Sequence, residues 1–326
     1  MNKDFKENPL ISILFCSSDG EYLDEVIPKI KDLKYPNIEI ICVWTGQEEK
    51  LLKIKKKLKD INIVQSPVYR SKNFGTNYGV REAKGSYILL LDDDIVINDK
   101  DLLVRLLKHS LLCKNFGCST LTLINKGENI IKSYGCFFGS VFTKNNKTLS
   151  KENVKSLNGC FVGHPSGAGV FIKKDVWNDI GGYDEQYIFG GDDSDLGIKL
   201  WISGYKCYLF SETIQTHIGI SRRSDNKKYA IYYADKLFAH LGVITKNYSF
   251  INLIYTLPLY FMFMLIKSIK QSISRKSIGS IIGFLKGTFA YLKNLGRILK
   301  DRHYIQSNRL VKKDVFLDIK LPKTNE

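Results

Sequence analysis

Short apolar runs alternate with amphipathic segments along the first part of the chain. Four runs rich in β-branched and other apolar residues predict buried strands, at residues 10–16, 38–44, 61–65 and 86–91. Three segments between them carry apolar residues at helical spacing, at residues 22–33, 50–59 and 73–84. This alternation predicts an α/β fold with a mostly parallel sheet flanked by helices. Ligands of such sheets bind beyond the carboxyl ends of the strands, which makes the residues there the first candidates for a site.

The pattern is less regular from residue 115 to residue 162, where short apolar stretches separated by Gly, Asn and Lys predict strands and loops. Beyond it, residues 167–173 and 208–214 predict two further strands, and residues 196–202 predict a helix. The α/β pattern therefore extends to about residue 222.

The last hundred residues follow a different pattern. Residues 247–266 carry no charge, but their most apolar part, residues 250–266, only reaches the lower end of the length that spans a bilayer, and it contains Pro258. A spanning helix and a re-entrant or interfacial segment both fit.

Further on, apolar residues recur at helical intervals, at Ile278, Ile282, Leu285, Phe289, Leu292 and Leu299, with Lys286, Lys293, Arg297 and Lys300 on another face. This predicts a basic amphipathic helix in the plane of a membrane; the alternative is a helix packed on the body with a solvated Lys face.

The net charge of +16 is concentrated in the same region. Residues 222–326 hold 20 Lys/Arg and 6 Asp/Glu, a net of +14, whereas residues 1–221 hold 29 and 27, a net of +2. Such asymmetry indicates an anionic partner, either nucleic acid or membrane. Because the sequence shows no nucleic-acid-binding motif and the basic residues accompany an apolar face, we expect a membrane surface and no nucleic acid as partner.

Cysteine usage and the N-terminus bear on the compartment. The seven cysteines are irregularly spaced without a CxxC pair, which predicts free thiols in a reducing environment. Residues 1–9 are polar and lack the apolar core of a secretion signal. We therefore expect a peripheral or monotopic protein at the cytoplasmic face of a membrane.

The first acidic cluster, Asp92, Asp93 and Asp94, closes a predicted strand. Three adjacent carboxylates repel one another unless a cation compensates them. Mg²⁺ or Mn²⁺ suits them, since both ions prefer oxygen ligands. The alternative is an acidic turn that caps the next helix.

The second acidic cluster follows two glycines, in the order Gly190, Gly191, Asp192, Asp193, Ser194 and Asp195. The glycines let a ligand approach the backbone, and the acids lie near a predicted helix start. Helix capping explains Ser194 or Asp195 but explains less well why three carboxylates are crowded together. One of these carboxylates is a candidate general base.

Two histidines are candidates of lower specificity. His217 follows a predicted strand; a lone His is usually structural, but with two carboxylate clusters upstream a metal-ligand role competes with that interpretation. His164 precedes Pro165 in a Gly-rich loop, where it is a candidate for contact with substrate.

Together these segments resemble glycosyltransferase family 2, the inverting nucleotide-sugar transferases of GT-A fold. The resemblance covers residues 10–222 and has four parts in the right order: the Asn/Gly-rich segment from Asn73 to Tyr87, the DxD motif at Asp92–Asp94, the segment from Gly167 to the Gly181-Gly182-Tyr183-Asp184-Glu185 turn, and Asp192–Leu196 in place of the family's ED-x-DL motif. His217 lies where many members have a metal-ligating His. The resemblance divides the chain into a catalytic domain, residues 1–222, and a basic, helical, membrane-associating region, residues 223–326.

The resemblance also implies roles. Asp193 would be the catalytic base, and Asp94 and His217 would bind Mn²⁺ or Mg²⁺. Acceptor contacts are expected at Asp192, Gly191 and His164, and donor contacts at Ser17, Asp19, Trp44, Asn73, Asp92 and Asp93. The family usually has an acid-rich turn after the second strand, where this chain has Trp44-Thr45-Gly46-Gln47. Trp44 therefore either stacks on the donor base or packs in the core.

The implied function is transfer of a sugar from a UDP-, dTDP- or GDP-linked donor to a hydroxyl of a glycan or lipid-linked acceptor during cell-surface polysaccharide or glycoconjugate assembly; a rhamnosyltransferase-like member is one such case. The rival hypotheses are a sugar nucleotidyltransferase and a basic nucleic-acid-binding or membrane-binding protein without catalysis. A nucleotidyltransferase is expected to have a Gly-rich, basic phosphate loop near the N-terminus, and residues 17–20 are not one.

Overall fold

A computed structural model of the chain describes residues 8–59, 61–69, 71–131, 133–139, 142–144, 148–219 and 226–322. Its strands are β1 (Ile11–Ser17), β2 (Ile38–Trp44), β3 (Asn62–Gln65), β4 (Tyr87–Asp92), β5 (Ile95–Val96), β6 (Phe116–Asn125), β7 (Phe137–Phe138), β8 (Thr143–Lys144), β9 (Gly169–Lys173) and β10 (Lys206–His217). Its α-helices are α1 (Leu23–Lys31), α2 (Glu48–Lys57), α3 (Lys72–Glu82), α4 (Leu102–Leu112), α5 (Lys151–Lys155), α6 (Lys174–Asp179), α7 (Asp192–Ile202), α8 (Asn226–Asn247), α9 (Phe250–Ser274), α10 (Gly279–Lys293) and α11 (Leu295–Ser307).

One mixed sheet forms the centre of the molecule, in the strand order β3-β2-β1-β4-β9-β6-β10-β5. β1, β2, β3 and β4 are mutually parallel, as the strand–helix alternation predicts. β9 runs antiparallel between β4 and β6, and β5 runs antiparallel to β10. The α/β fold is confirmed, and the prediction of a mostly parallel sheet holds best for its first half.

The sheet separates two apolar cores. Side chains of β1 alternate between them, since Leu14 belongs to one core while Ile13 and Phe15 belong to the other. The register aligns Ser17 with Trp44, and Cys16 with Asp92, so that β1, β2 and β4 end together at one edge. That edge is where the predicted site should lie.

Two elements differ from their predictions. β6 is a ten-residue strand in the region assigned to short strands and loops; it is buried on both faces, so it shows no period-two alternation. The amphipathic helix expected from Ile278 to Leu299 is broken at Asn294 into α10 and α11. The apolar spacing runs through the break, because both helices expose apolar residues.

The C-terminal helices pack against the body. Leu237 and Phe284 belong to the same apolar core as Leu196 of α7. α10 lies close to α8, because a methyl group at Gly283 or Gly287 would come within 2.6 Å of a carbonyl oxygen of α8. The predicted boundary between residues 222 and 223 falls outside the described residues.

Candidate active site

A cavity of about 810 Å³ opens beyond the carboxyl ends of β1, β2 and β4. It gathers most of the predicted acids, which come from three separate segments of the chain: Asp19, Asp92, Asp93, Asp94, Asp192 and Asp193. These segments are distant in the sequence, and the sheet brings them together. The cavity is therefore the candidate active site.

Asp93 and Asp94, which follow β4, differ from each other in their surroundings. Burial raises the pKa of Asp93 to about 6, although a hydrogen bond with Ser17 opposes this shift. Asp94 Oδ2 lies 2.9 Å from His217 Nε2, and this hydrogen bond is the main cause of a raised pKa at His217. The other Asp94 oxygen, Oδ1, is buried without a hydrogen-bond partner.

This pair fits a divalent ion in part. A buried carboxylate oxygen without a hydrogen-bond partner, on a side chain beside an imidazole, supplies two donor types that suit Mg²⁺ or Mn²⁺. Among the described residues no group of three or more His, Cys, Asp or Glu side chains is close enough to hold a metal by itself. Such an ion would therefore take further oxygen ligands from substrate phosphate or water.

Asp192 and Asp193 form the first turn of α7, which begins after two glycines with positive φ, Gly190 at +75° and Gly191 at +83°. Gly191 caps the helix and packs on α8: a methyl group there would lie 2.8 Å from the Ala239 side chain. The left-handed turn that only glycine adopts readily thus directs both carboxylates into the cavity.

Asp193 lies in surroundings that strongly shift its pKa. Burial is the main cause that raises its pKa to about 8, and the neighbouring Asp192 charge adds to it. Its Oδ1 has no hydrogen-bond partner and lies against Gly167, where an added methyl group would be only 2.0 Å away. A carboxylate with this pKa and a free buried oxygen is suited to accept a proton near neutral pH.

Lys72, at the start of α3, is a site residue that the sequence interpretation missed. Its ammonium forms an ion pair with Asp92 and lies 3.4 Å from the Gly167 carbonyl oxygen. Burial acts to lower its pKa, but the charges of Asp92 and Asp192 outweigh burial and hold that pKa well above its usual value. The lysine thus places a positive charge between the two acidic clusters. The sequence alone does not distinguish it from the other Lys and Arg residues among the 49 of the chain.

Apolar residues at the rim of the cavity were also missed. Ile188 and Phe189 line it next to Asp192, and their side chains are 63% and 44% exposed. Exposed apolar side chains beside a candidate base are suited to contact a substrate.

Two predicted site residues lie elsewhere. Trp44 is fully buried, and its Nε1 donates a hydrogen bond to the Gln47 carbonyl oxygen, so it packs in the core and does not stack on a ligand. Thr45 lines the cavity in its place. His164 is buried against Phe138, because α7 packs on it at Gly197; burial lowers its pKa to about 4. The structure therefore corrects the prediction that His164 contacts an acceptor.

Two further predicted residues have contacts within the protein. Ser17 is buried, and its hydroxyl accepts a hydrogen bond from the Gly20 amide at 3.2 Å. Asn73 lines the cavity, but its amide donates to the Asp184 and Tyr187 carbonyl oxygens. Both residues hold neighbouring loops in place, and their donor contacts stay predictions.

The mixed sheet with acids gathered at one edge is the arrangement of a GT-A fold. The sequence profile of glycosyl transferase family 2 matches residues 11–173, which is half of the chain, and the chain therefore belongs to glycosyl transferase family 2. A poly-beta-1,6-N-acetyl-D-glucosamine synthase of Staphylococcus epidermidis is 25% identical over 199 residues, 60% of this chain and 46% of the relative. The match thus covers less than half the length of that relative.

Solved structures share the fold. The mannosyltransferase PcManGT from Pyrobaculum calidifontis, in complex with GDP-Man and Mn²⁺, matches with a TM-score of 0.54 and 13% identity over 93% of this chain and 86% of that chain. S. aureus TarS 1–349 in complex with UDP-GlcNAc matches with a TM-score of 0.56 and 12% identity over 94% and 90% of the two chains. At such low identity the likeness concerns the fold.

Proposed function

We propose that this glycosyltransferase moves a sugar from a UDP-, dTDP- or GDP-linked donor to a hydroxyl of a glycan or lipid-linked acceptor, with inversion at the anomeric carbon, in the assembly of a cell-surface polysaccharide or glycoconjugate. The observation that carries the proposal is the meeting of two acidic clusters in one cavity, where the pKa of Asp193 is raised to about 8. The nucleotide sugars bound by PcManGT and TarS support the donor class.

We assign binding of the nucleotide-sugar donor to the side of the cavity formed by the acids that follow β4. Asp94 and His217 would hold Mn²⁺ or Mg²⁺, and Asp19, Asp92 and Asp93 would face the nucleotide. When bound, the ion neutralises the charge that develops on the departing diphosphate. Lys72 adds a positive charge between this end and the base.

Asp193 is assigned the role of general base. Its ionised form takes the proton of the acceptor hydroxyl as that oxygen attacks the anomeric carbon from the face opposite the diphosphate. The diphosphate leaves in the same step, so one base suffices and no covalent intermediate forms. Asp192 and the exposed pair Ile188 and Phe189 would contact the acceptor.

A donor screen tests this proposal. With Mn²⁺, one class of UDP-, dTDP- or GDP-sugar should release nucleoside diphosphate, and EDTA should suppress the release. Asp94→Asn should lose the Mn²⁺ dependence, whereas Asp101→Asn, an acid outside the cavity, should keep it. Pyrophosphate release from a nucleoside triphosphate and sugar phosphate would identify a nucleotidyltransferase instead, and no response to any donor would contradict the proposal.

We further propose that α9 and α10 lie on the cytoplasmic face of a membrane. Among the described helices, α9 is long and apolar enough to cross a bilayer. However, α9 packs on α8. Tyr233 of α8 donates a hydrogen bond to the Met264 carbonyl oxygen, and His240 of α8 shares a hydrogen bond with the Tyr260 hydroxyl. A helix that packs along its length on the protein body is suited to lie in the membrane plane.

The opposite faces of α9 and α10 are apolar and exposed. Their exposed residues include Phe250, Ile254, Leu259, Phe263, Ile266 and Ile273 on α9 and Ile282, Leu285, Phe289 and Leu292 on α10. Lys267, Lys270, Lys276, Lys286 and Lys293 lie along the same two helices and their connection. Apolar surface together with lysines suits an anionic lipid surface.

Vesicle flotation tests the membrane proposal. Full-length protein should float with vesicles of phosphatidylglycerol and phosphatidylcholine and bind less to phosphatidylcholine alone. Leu285→Glu/Phe289→Glu should weaken binding about tenfold or more, since it removes two apolar side chains from lipid. Leu112→Glu is the matched control, because Leu112 is 76% exposed on α4. Equal flotation of the double variant and the wild type would contradict the proposal.

A further inference from the structure

The segment that carries the acceptor-side acids is held from two sides. We call residues 181–191, which lead into α7, the acceptor loop. On one side, α3 holds it: Asn73 Nδ2 donates to the Tyr187 carbonyl oxygen at 2.7 Å, and Asn77 Nδ2 donates to the Tyr183 carbonyl oxygen at 2.9 Å. The residues of α3 that make these contacts lie within the part of the chain that the family profile matches, residues 11–173.

On the other side, the contacts come from the C-terminal helices. The ammonium of Lys246, near the end of α8, lies 2.6 Å from Asp184 Oδ2 in the acceptor loop and 3.3 Å from Asp195 Oδ1 in the first turn of α7. The same ammonium lies 4.7 Å from the ring centre of Tyr187. Asn247, the next residue, donates a hydrogen bond to Asp195 Oδ1 at 2.8 Å. One lysine thus contacts the acceptor loop and the helix that follows it.

These charges are removed from water. The side chains of Lys246 and Asp195 are 4% and 0% exposed. Burial acts to raise the pKa of Asp195, but Lys199 and Lys246 outweigh it and lower that pKa to about 2. Ion pairs in such surroundings are weakly screened and have a narrow range of favourable geometry, so they fix the relative positions of the groups they join.

We propose that Lys246 is a positioning residue for the glycosyl transfer. It joins the acceptor loop, at Asp184, and the first turn of α7, at Asp195, to α8. It thereby sets where Asp192 and Asp193 lie in the cavity. Asp195 follows Asp193 by two residues in the same helical turn, so a shift of this turn moves the base. A displacement of about 1 Å in a reacting group costs up to about 100-fold in rate. The inference rests on the proposed role of Asp193.

Three variants separate positioning from stability. Lys246→Met removes the ammonium, which leaves Arg297 as the cation beside Asp184 and Lys199 as the cation beside Asp195. The buried carboxylates thereby lose part of their compensation, so the variant should unfold at a lower temperature. Asp184→Asn/Lys246→Met removes one charge of each sign and should regain much of that stability. Arg302→Met is the matched control, because Arg302 donates to the carbonyl oxygens of Thr245, near the end of α8, and of Tyr248, in the connection to α9.

The deciding measurement is kcat for donor turnover. It is calculated per folded molecule, by counting the nucleotide-binding sites in each preparation by titration. We expect Lys246→Met and the double variant to lose about tenfold or more in kcat at an unchanged nucleotide Kd. Arg302→Met should lower Tm and keep kcat. Recovery of kcat together with Tm in the double variant, or an equal loss of kcat in Arg302→Met, would overturn the inference.

The outcomes also separate this inference from the proposed function. If Asp193→Asn is inactive while Lys246→Met turns over normally, the positioning role fails and the base assignment survives. If Asp193→Asn turns over normally, the proposed function itself fails.

Discussion

Two aspartates only two residues apart in α7 have opposite chemistry. Asp193 has a pKa of about 8, because it is buried beside Asp192, whereas Asp195 has a pKa of about 2, because Lys199 and Lys246 outweigh its burial. Neighbouring charges therefore decide which acid stays ionised and which exchanges a proton near neutral pH. Such separation of pKa values between adjacent acids is typical of acid–base sites.

The pH dependence of the reaction follows from the raised pKa of Asp193. The base must be ionised, so kcat/KM should be full above about pH 8 and fall as the pH drops through that value. Lys72 lowers the pKa of both Asp192 and Asp193, so Lys72→Met should move this acid limb to higher pH. The measurement is a pH profile of kcat/KM for both proteins. A flat wild-type profile down to pH 5, or a limb that moves to lower pH in the variant, would contradict the assignment.

Most of the site acids were predictable from the sequence, because packing and helix capping alone seldom account for carboxylates crowded at a strand end or after a Gly-Gly turn. Lys72 was not, since a lysine in a chain with 49 basic residues carries no signal until its partners are known. For Trp44 the sequence left two alternatives, and only the packing of β2 against its neighbours decides for the core.

At the scale of elements, continuous apolar runs predicted β1, β2 and β4, and helical spacing predicted the helices between them. β2 has the predicted bounds, and α7 begins four residues before the predicted helix because its first turn is acidic. β6 was missed because Ser119, Thr120 and Thr122 interrupt its apolar run, although these polar residues are buried in the fold. The break at Asn294 was missed because the apolar spacing continues through it, since both helices expose apolar residues.

The contact of α10 with α8 yields a prediction about packing. Gly287→Leu should destabilise the protein by about 2 kcal/mol or more, because the new side chain would meet the Ala234 carbonyl oxygen and the Leu237 side chain. Gly296→Ala in α11 is the control; a methyl group there meets no atom within 4 Å, so stability should stay unchanged or rise slightly. Thermal unfolding of both variants measures this, and equal Tm values would show that α10 does not pack as described.

At the scale of the whole molecule, the excess charge belongs to the C-terminal region, whose helices pack on the α/β body. The sequence predicted a basic, apolar C-terminal region but not its inner contacts, because Lys246 and Arg297 resemble any other basic residue in a region with 20 of them. In the fold, both reach Asp184 of the acceptor loop. Within this region, α9 and α10 thus present an apolar face to the proposed membrane, while α8 and α11 carry the charges that contact the acceptor loop.

The central claim is that Asp193 is the base of a glycosyl transfer, and Asp193→Asn tests it most directly. The amide cannot accept the proton, so kcat for sugar transfer should fall by about 10²- to 10⁴-fold, while calorimetry should give a nucleotide Kd in Mn²⁺ close to that of the wild type. Near-normal turnover of the variant, at an unchanged Kd, would contradict the account.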